Sequence, residues 1–274
     1  MKLNVFLIKT LNPAYLLVAH GSRDPRSQVA LTRLGYQVSQ CLESLSPVRP
    51  VLSGYKPTME TGPTLTLLPP QPPDYAYPVQ TATLEGHPQP LHQQIMALVQ
   101  ALNCTTLRLL PLFLQAGVHV QEDLPREIAL AQAALGSVCD FDCLPYLGHD
   151  TFLESLLRQA GERYPQAQPI LLAHGSRRAD GNLAPQQRAQ ALQAKVAYWS
   201  LAPNLTTVVE ASIQNGSEEV LILPYFLFSG GITDQLASQV AHLQHQYPQV
   251  RFHLGNPLAH HPHFAFLLAQ LLHL

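Results

Sequence analysis

One stretch of this chain is written twice. Leu16-Leu-Val-Ala-His-Gly-Ser-Arg23 returns as Ile170-Leu-Leu-Ala-His-Gly-Ser-Arg177. Downstream, Leu109-Leu-Pro-Leu-Phe-Leu114 is answered by Leu221-Ile-Leu-Pro-Tyr-Phe-Leu227, and Leu147-Gly-His149 by Leu258-Ala-His260. Matches in the same order, one set per half, mark a duplicated domain and not a short-period solenoid. At roughly 150 residues per domain, 274 residues accommodate two units, expected at 1–164 and 165–274. The copies differ in length: His20 to Pro111 spans 91 residues, His174 to Pro224 only 50. The excess lies around residues 46–78, where nine prolines cluster. Proline removes backbone donors and forbids inner strands and helix interiors, so an extended, lid-like insertion is expected there.

Within each half, short apolar runs alternate with helix-period segments. In the first half, 14–19, 79–84, 107–114 and 138–143 read as strands, and 25–45, 91–102, 121–135 and 150–163 as helices. The second half repeats this at 170–173, 183–195, 204–214, 219–227, 232–246, 250–254 and 261–273. Alternating βαβ units imply parallel sheets covered on both faces. The expected fold is α/β: two duplicated domains, each a parallel β-sheet flanked by helices, with a cleft between them. In such sheets ligands gather beyond the carboxyl ends of the strands.

Composition narrows the function classes. A net charge of -2 and only 16 Lys and Arg lack the basic stripe of a nucleic-acid binder. No apolar run approaches the ~20 residues of a membrane span, and Val5-Phe-Leu-Ile8 is too short for a signal segment, so a cytoplasmic protein is expected. Four cysteines without a CxxC pair form neither a disulfide framework nor a zinc ribbon. Cys139 and Cys143 bracket Asp140 and Asp142, but two thiols alone ligate little. Thirteen histidines raise metal or proton handling, and position has to separate the working ones from the rest.

Three places put chemistry at strand ends. His20 follows a buried strand, Gly21 permits a tight turn, and Ser22 with the helix start can receive an anion. Arg23 adds a forked donor for carboxylates. A histidine bonded to its own turn is the alternative. His119 lies just past a strand and Gly117, so it should reach the same crevice; two imidazoles there make an open half-shell for a divalent metal. Glu122 and Asp123 beside it read as charges complementing a helix N-terminus. Glu85 closes a strand and could act as a base or assist metal delivery, or be a solvated loop carboxylate. His87 and His92 read as loop and helix-surface residues. His149 and His260 read as turn residues, and His242, His245, His253, His261, His263 and His273 as surface.

Ala19-His-Gly-Ser-Arg23, Leu84-Glu85 and Pro111-Leu-Phe-Leu114 with Gly117-Val-His119 and Glu122-Asp123 resemble the class II chelatases of tetrapyrrole biosynthesis, in particular two-domain sirohydrochlorin cobalto- and ferrochelatases. The resemblance runs through both halves outside the proline-rich insertion. It implies insertion of Fe²⁺ or Co²⁺ into sirohydrochlorin for sirohaem or cobalamin, with the metal as substrate and no permanently bound cofactor. It implies His20 and His119 as metal ligands or proton acceptors, Glu85 as their assistant, and Ser22 and Arg23 as receivers of substrate carboxylates. A monomer is expected, because the fused halves already form the bilobal cleft.

The second half departs from this pattern. His174 answers His20, but the position answering His119 is Ile232, no histidine occurs between His174 and His242, and the Glu85 equivalent falls near Tyr198-Trp199. One working site built from the first half is therefore expected, with His174 as a candidate extra ligand. A histidine-nucleophile phosphatase is disfavoured, since Ala19 and Ala173 stand where a phosphate-clamping arginine would precede the histidine. A non-catalytic metal- or tetrapyrrole-delivery protein remains the rival reading.

Overall fold

The structure, a computed structural model, describes residues 13–45, 79–178 and 180–274; the proline-rich insertion expected at 46–78 lies outside the described residues. β1 (Ala14–Ala19) is apolar and buried along its whole length. α1 (Pro25–Leu45) follows at once. The Asp24 carboxylate accepts the Arg26 N–H at 3.0 Å as an N-cap, and Pro25 sits at the first helical position, where no donor is needed. Leu31, Leu34, Val38 and Leu42 then form the buried stripe of α1, at the spacing that puts residues on one helix face.

The first half continues as β2 (Val79–Thr83), α2 (Leu91–Leu102), β3 (Thr106–Pro111), α3 (Leu124–Leu135), β4 (Asp140–Cys143) and α4 (Phe152–Glu162). The second half runs β5 (Gln168–Ala173), α5 (Leu183–Ala191), β6 (Lys195–Tyr198), α6 (Leu205–Gln214), β7 (Glu219–Pro224), α7 (Gly231–Gln246), β8 (Arg251–Leu254) and α8 (Phe264–His273). Each half holds a four-stranded parallel sheet, ordered β2-β1-β3-β4 and β6-β5-β7-β8. The chain moves to opposite sides of β1 when it makes β2 and then β3. That reversal opens a crevice beyond the carboxyl ends of β1 and β3.

The segment expected to be helical through 195 is divided. α5 stops at Ala191, and Lys195–Tyr198 forms the edge strand β6. The stop is a C-terminal cap in which Ala194 N–H donates to Ala189 O at 2.7 Å and Gln193 takes the left-handed conformation, φ 52°. Glycine is usual at that position; here a glutamine hides the helix end within an Ala/Gln-rich run.

Three apolar clusters organise the described residues. One face of the first sheet packs against α2 and α3 through residues such as Leu16, Leu109, Ile95 and Ile128. The matching face of the second sheet packs against α6 and α7 through Ile170, Ile222, Val209 and Leu236. The remaining faces share one core, in which Leu17, Leu110, Leu171 and Leu223 join Leu34, Leu153, Phe264 and Leu268. α1 of the first half packs along α8 of the second. The halves therefore bury a continuous apolar surface against each other, the largest stabilising contribution available to them.

The halves are tied by polar contacts as well. Arg188 on α5 is almost fully buried. Its guanidinium donates to the Gly148 and Asp150 carbonyls of the first half, both at 2.6 Å, and to Tyr225 Oη at 2.8 Å. Glu154 Oε1 lies 3.5 Å from Nη1, close enough for ionic attraction though not a hydrogen bond. Burial pushes the Tyr225 hydroxyl up to about 12, against the opposing pull of Arg188, so Tyr225 stays neutral and donates to Leu114 O at 3.4 Å.

Two histidines expected at the surface are structural. His92 Nδ1 and its backbone N–H both reach Glu127 Oε2, at 2.8 and 3.1 Å, tying α2 to α3. His253 stacks on Tyr164 at 3.9 Å and meets Glu219 Oε2 at 3.2 Å. Cys139 and Cys104 are both buried in the first-half core. Burial and the neighbouring Cys104 push the Cys139 thiol up to about 12, far from the thiolate that metal binding requires. No helix among the described residues is long and apolar enough to cross a membrane.

Candidate metal centre

Parallel pairing beyond the strand ends brings the first-half residues together. After the Ala19–Thr83 register, the ladder continues as Leu84 N–H to Ala19 O at 2.9 Å and Glu85 N–H to His20 O at 2.8 Å. Glu85 is thereby pinned beside His20. Gly21 makes this approach possible: its φ is +98°, and a Cβ there would fall 2.0 Å from the Glu85 carbonyl oxygen. The sequence read Gly21 as a turn residue; its closer constraint is the backbone of the neighbouring loop.

His119 arrives from the other side. Beyond β3 the chain enters a π-helical turn, His119–Asp123, closed by Leu124 N–H donating to His119 O. The expected helix thus starts two residues earlier than 121 and in a wider form that is common at functional sites. The His20 and His119 rings meet edge to face with centroids 4.4 Å apart. One ligand atom from each of His20, Glu85 and His119 lies within 4.8 Å of the others. Among the described residues this is the one group of three or more His, Cys, Asp or Glu side chains so placed.

The hydrogen bonds assign the tautomers. His20 Nδ1 lies 3.2 Å from the Gly21 carbonyl, which can only accept. His119 Nδ1 lies 2.9 Å from Asp123 Oδ2. In the neutral rings both Nδ1 atoms carry the proton, and both Nε2 lone pairs are free to ligate. The own-turn bond considered for His20 is thus present and compatible with ligation. Two imidazoles and one carboxylate suit first-row divalent ions and leave coordination positions open. His20 and Glu85 are exposed and His119 half-buried, so an ion can enter and leave.

Asp123 is more than a helix-dipole charge. It bonds His119 Nδ1, as a carboxylate behind a candidate ligand imidazole does, and is itself held by Arg126 at 3.1 Å. Its position four residues after His119 was the available signal, since i,i+4 residues share a helix face. Replacing Asp123 by Asn is expected to weaken metal binding about 10- to 100-fold, the usual cost of losing such a support. Titration with Co²⁺ alone checks this, and wild-type affinity would remove the role.

The anion receivers are arranged differently from expectation. Ser22 Oγ accepts the Asp24 N–H at 3.0 Å, and Asp24 caps α1, so a carboxylate already occupies that helix start. Arg23 is exposed. In the second half, Trp199 N–H donates to Ala173 O and Ser200 N–H to His174 O, so the counterpart of Glu85 is Ser200, one residue beyond the expected Tyr198-Trp199. His174 is exposed with its Nδ1 3.1 Å from Gly175 O, and it is not a member of the His20–Glu85–His119 group.

Known proteins can now be compared with this geometry. The CbiX family model matches the chain twice, over residues 71–164 and 168–273; the first match begins after the His20 turn. A sirohydrochlorin ferrochelatase from Priestia megaterium is 22% identical over 178 residues, covering 61% of this chain and 66% of the relative. A sirohydrochlorin cobaltochelatase from the same organism is 26% identical over 176 residues, covering 59% of this chain and 58% of the relative. The chain thus spans less than two thirds of the length of either curated relative. The solved structure of SirB from Bacillus subtilis with Fe³⁺ superposes with a TM-score of 0.67 at 19% identity, over 95% of this chain and 94% of that one. It shares the fold. With both halves matched by one family model across most of the described residues, the chain belongs to the CbiX family.

Proposed function

We propose that this chain inserts a divalent metal, Fe²⁺ or Co²⁺, into sirohydrochlorin, in sirohaem or cobalamin biosynthesis. The observation that carries the reading is the convergence of His20, Glu85 and His119 on one small volume at the carboxyl edge of the first sheet. Family membership and the names of the two Priestia megaterium relatives support it.

The chemistry follows from the residue types. The incoming ion is held by two imidazole nitrogens and a carboxylate, few enough ligands to let it go. Two pyrrole N–H protons must leave as two metal–nitrogen bonds form. Each imidazole that gives up the metal regains a lone pair beside the macrocycle and is a weak base near neutral pH. Release of the ion and uptake of a proton therefore occur at the same Nε2 atoms. Exposed Arg23 is proposed to receive substrate carboxylates, with the Ser22 hydroxyl as a second donor, its oxygen accepting the Asp24 N–H while its own proton stays available. His174 is proposed as an auxiliary residue of the cleft, not a member of the primary ligand set. The metal is substrate, and no permanent cofactor is needed for this reaction. The division at residue 164/165 falls in the connection between α4 and β5, which supports two domains within one chain. Side chains of the two halves meet directly, Arg26 with Asp234 at 2.7 Å and Arg178 with Glu122 at 3.1 Å, which supports a monomer as the working unit; a cytoplasmic location is part of the proposal.

Anaerobic incubation of the protein with sirohydrochlorin and Co²⁺, Fe²⁺ or Ni²⁺ in parallel tests the reading through the change in tetrapyrrole absorbance. Insertion well above the spontaneous rate with Fe²⁺ or Co²⁺ is expected. Background rates with retained metal binding would leave a delivery protein instead.

A further inference from the structure

All three ligands of the candidate metal centre come from the first half, yet the second half reaches the turn that carries one of them. Gln121 Nε2 donates to Asp180 Oδ2 at 2.9 Å, and Arg178 Nη1 donates to Glu122 Oε1 at 3.1 Å. Gln121 and Glu122 are consecutive residues of the π-helical turn that begins at His119. Arg178 Nε also lies 3.5 Å from Asp180 Oδ1, so the two contacts form one unit.

The second-half segment that makes these contacts is itself braced. Ser176 N–H donates to Asn182 Oδ1 at 2.8 Å, and Asn182 Nδ2 returns a bond to Ser176 O at 2.7 Å. A Cβ on Gly181 would fall 2.4 Å from Ser176 Oγ, so the turn packs closely on the serine. A braced surface thus grips the residues between His119 and Asp123, whose side chains bond each other.

We propose that Arg178 and Asp180 are positioning residues: the second half aims the His119 imidazole at His20 and Glu85 without supplying a ligand. This rests on the reading of His20, Glu85 and His119 as a metal site. Exposed ion pairs add little to global stability, so the contribution is to geometry. It acts through a single widened turn, and a small displacement of a ligand costs metal affinity directly. It also gives the second half, which carries Ser200 and Ile232 at the positions answering Glu85 and His119, a part in the site.

The test uses the full chain and Co²⁺ alone, followed by its visible ligand-field absorption, with no tetrapyrrole present. Arg178→Ala and Glu122→Ala are each expected to weaken Co²⁺ binding about 10-fold and to alter the band shape, with the thermal midpoint unchanged. Arg178→Lys, which keeps a positive charge beside both Glu122 and Asp180, is expected to recover part of the loss. Arg251→Gln, which breaks the exposed pair with Glu219 away from the site, should bind as the wild type does. Wild-type affinity and spectrum in Arg178→Ala overturn the positioning role, as does an Arg178→Lys protein that binds no better than Arg178→Ala. A wild-type protein that binds no Co²⁺ overturns the metal site, and this role with it; binding without insertion leaves the role standing and overturns only the proposed reaction.

Discussion

His119→Ala is expected to lower metal insertion by about 10²–10⁴-fold, the range for losing a positioned proton-transfer group, and to weaken Co²⁺ binding in the absence of tetrapyrrole. In the proposed reaction the imidazole is both the ligand contributed by the π-helical turn and, once the ion departs, a proton acceptor. Alanine removes both and leaves His20 and Glu85, too few to hold a divalent ion firmly. Asp123 would then face the crevice without its partner at 2.9 Å. His149→Ala supplies the comparison. His149 is the exposed last residue of the turn Leu147–His149, where its backbone bonds Tyr146 O, and its ring lies beside Tyr146 at a centroid distance of 6.2 Å. Its replacement should leave insertion near the wild-type rate. Steady-state kinetics on the two variants decide the matter, and equal losses would put the site elsewhere.

The second large effect is on stability. Arg188→Ala is expected to cost about 3–5 kcal/mol, the range for breaking a buried, hydrogen-bonded charge. The guanidinium closes two first-half carbonyls and the Tyr225 hydroxyl oxygen, and alanine would leave these without a donor at the junction of the halves. Glu154, whose Oε1 is 3.5 Å from the guanidinium, would lose its counter-charge. Arg188→Lys keeps the charge but not the planar fork, so it should recover only part of the loss. Urea unfolding monitored by circular dichroism measures both variants. An Arg188→Ala protein within 1 kcal/mol of the wild type, a margin typical of a surface change, would show that the apolar core alone couples the halves.

The elements that were legible in the sequence are those with a local physical signature. β1 and β5 are continuous apolar runs ended by His-Gly, and α1 carries its proline, its cap and a regular apolar stripe. β6 was hidden because its preceding helix ends on a left-handed glutamine without the customary glycine, and because four residues give little alternation to read. His92 and His253 were misplaced for a related reason. Their partners, Glu127 and Glu219, are 35 and 34 residues distant, and nothing local marks a histidine that will meet a carboxylate from another element. Arg188 is the extreme case: in an Ala/Gln-rich helix it resembles any solvated arginine.

The duplication, the parallel α/β architecture and the nomination of His20, Glu85 and His119 follow from the amino-acid order alone. Strand ends, glycine turns and repeated motifs are properties of neighbouring residues. Whether those three side chains converge is a different matter, because it depends on strand order. β2 and β3 had to flank β1, and only pairing across the sheet decides that. The single-site asymmetry was visible in Ile232, but the identity of Ser200 as the counterpart of Glu85 required the ladder beyond β5 and β6. The i,i+4 spacing already offered the Asp123–His119 contact, but tertiary structure alone decided that Arg178 and Asp180 reach across from the other half. Those contacts are made by side chains at turn ends, where orientation is set by packing and not by sequence period.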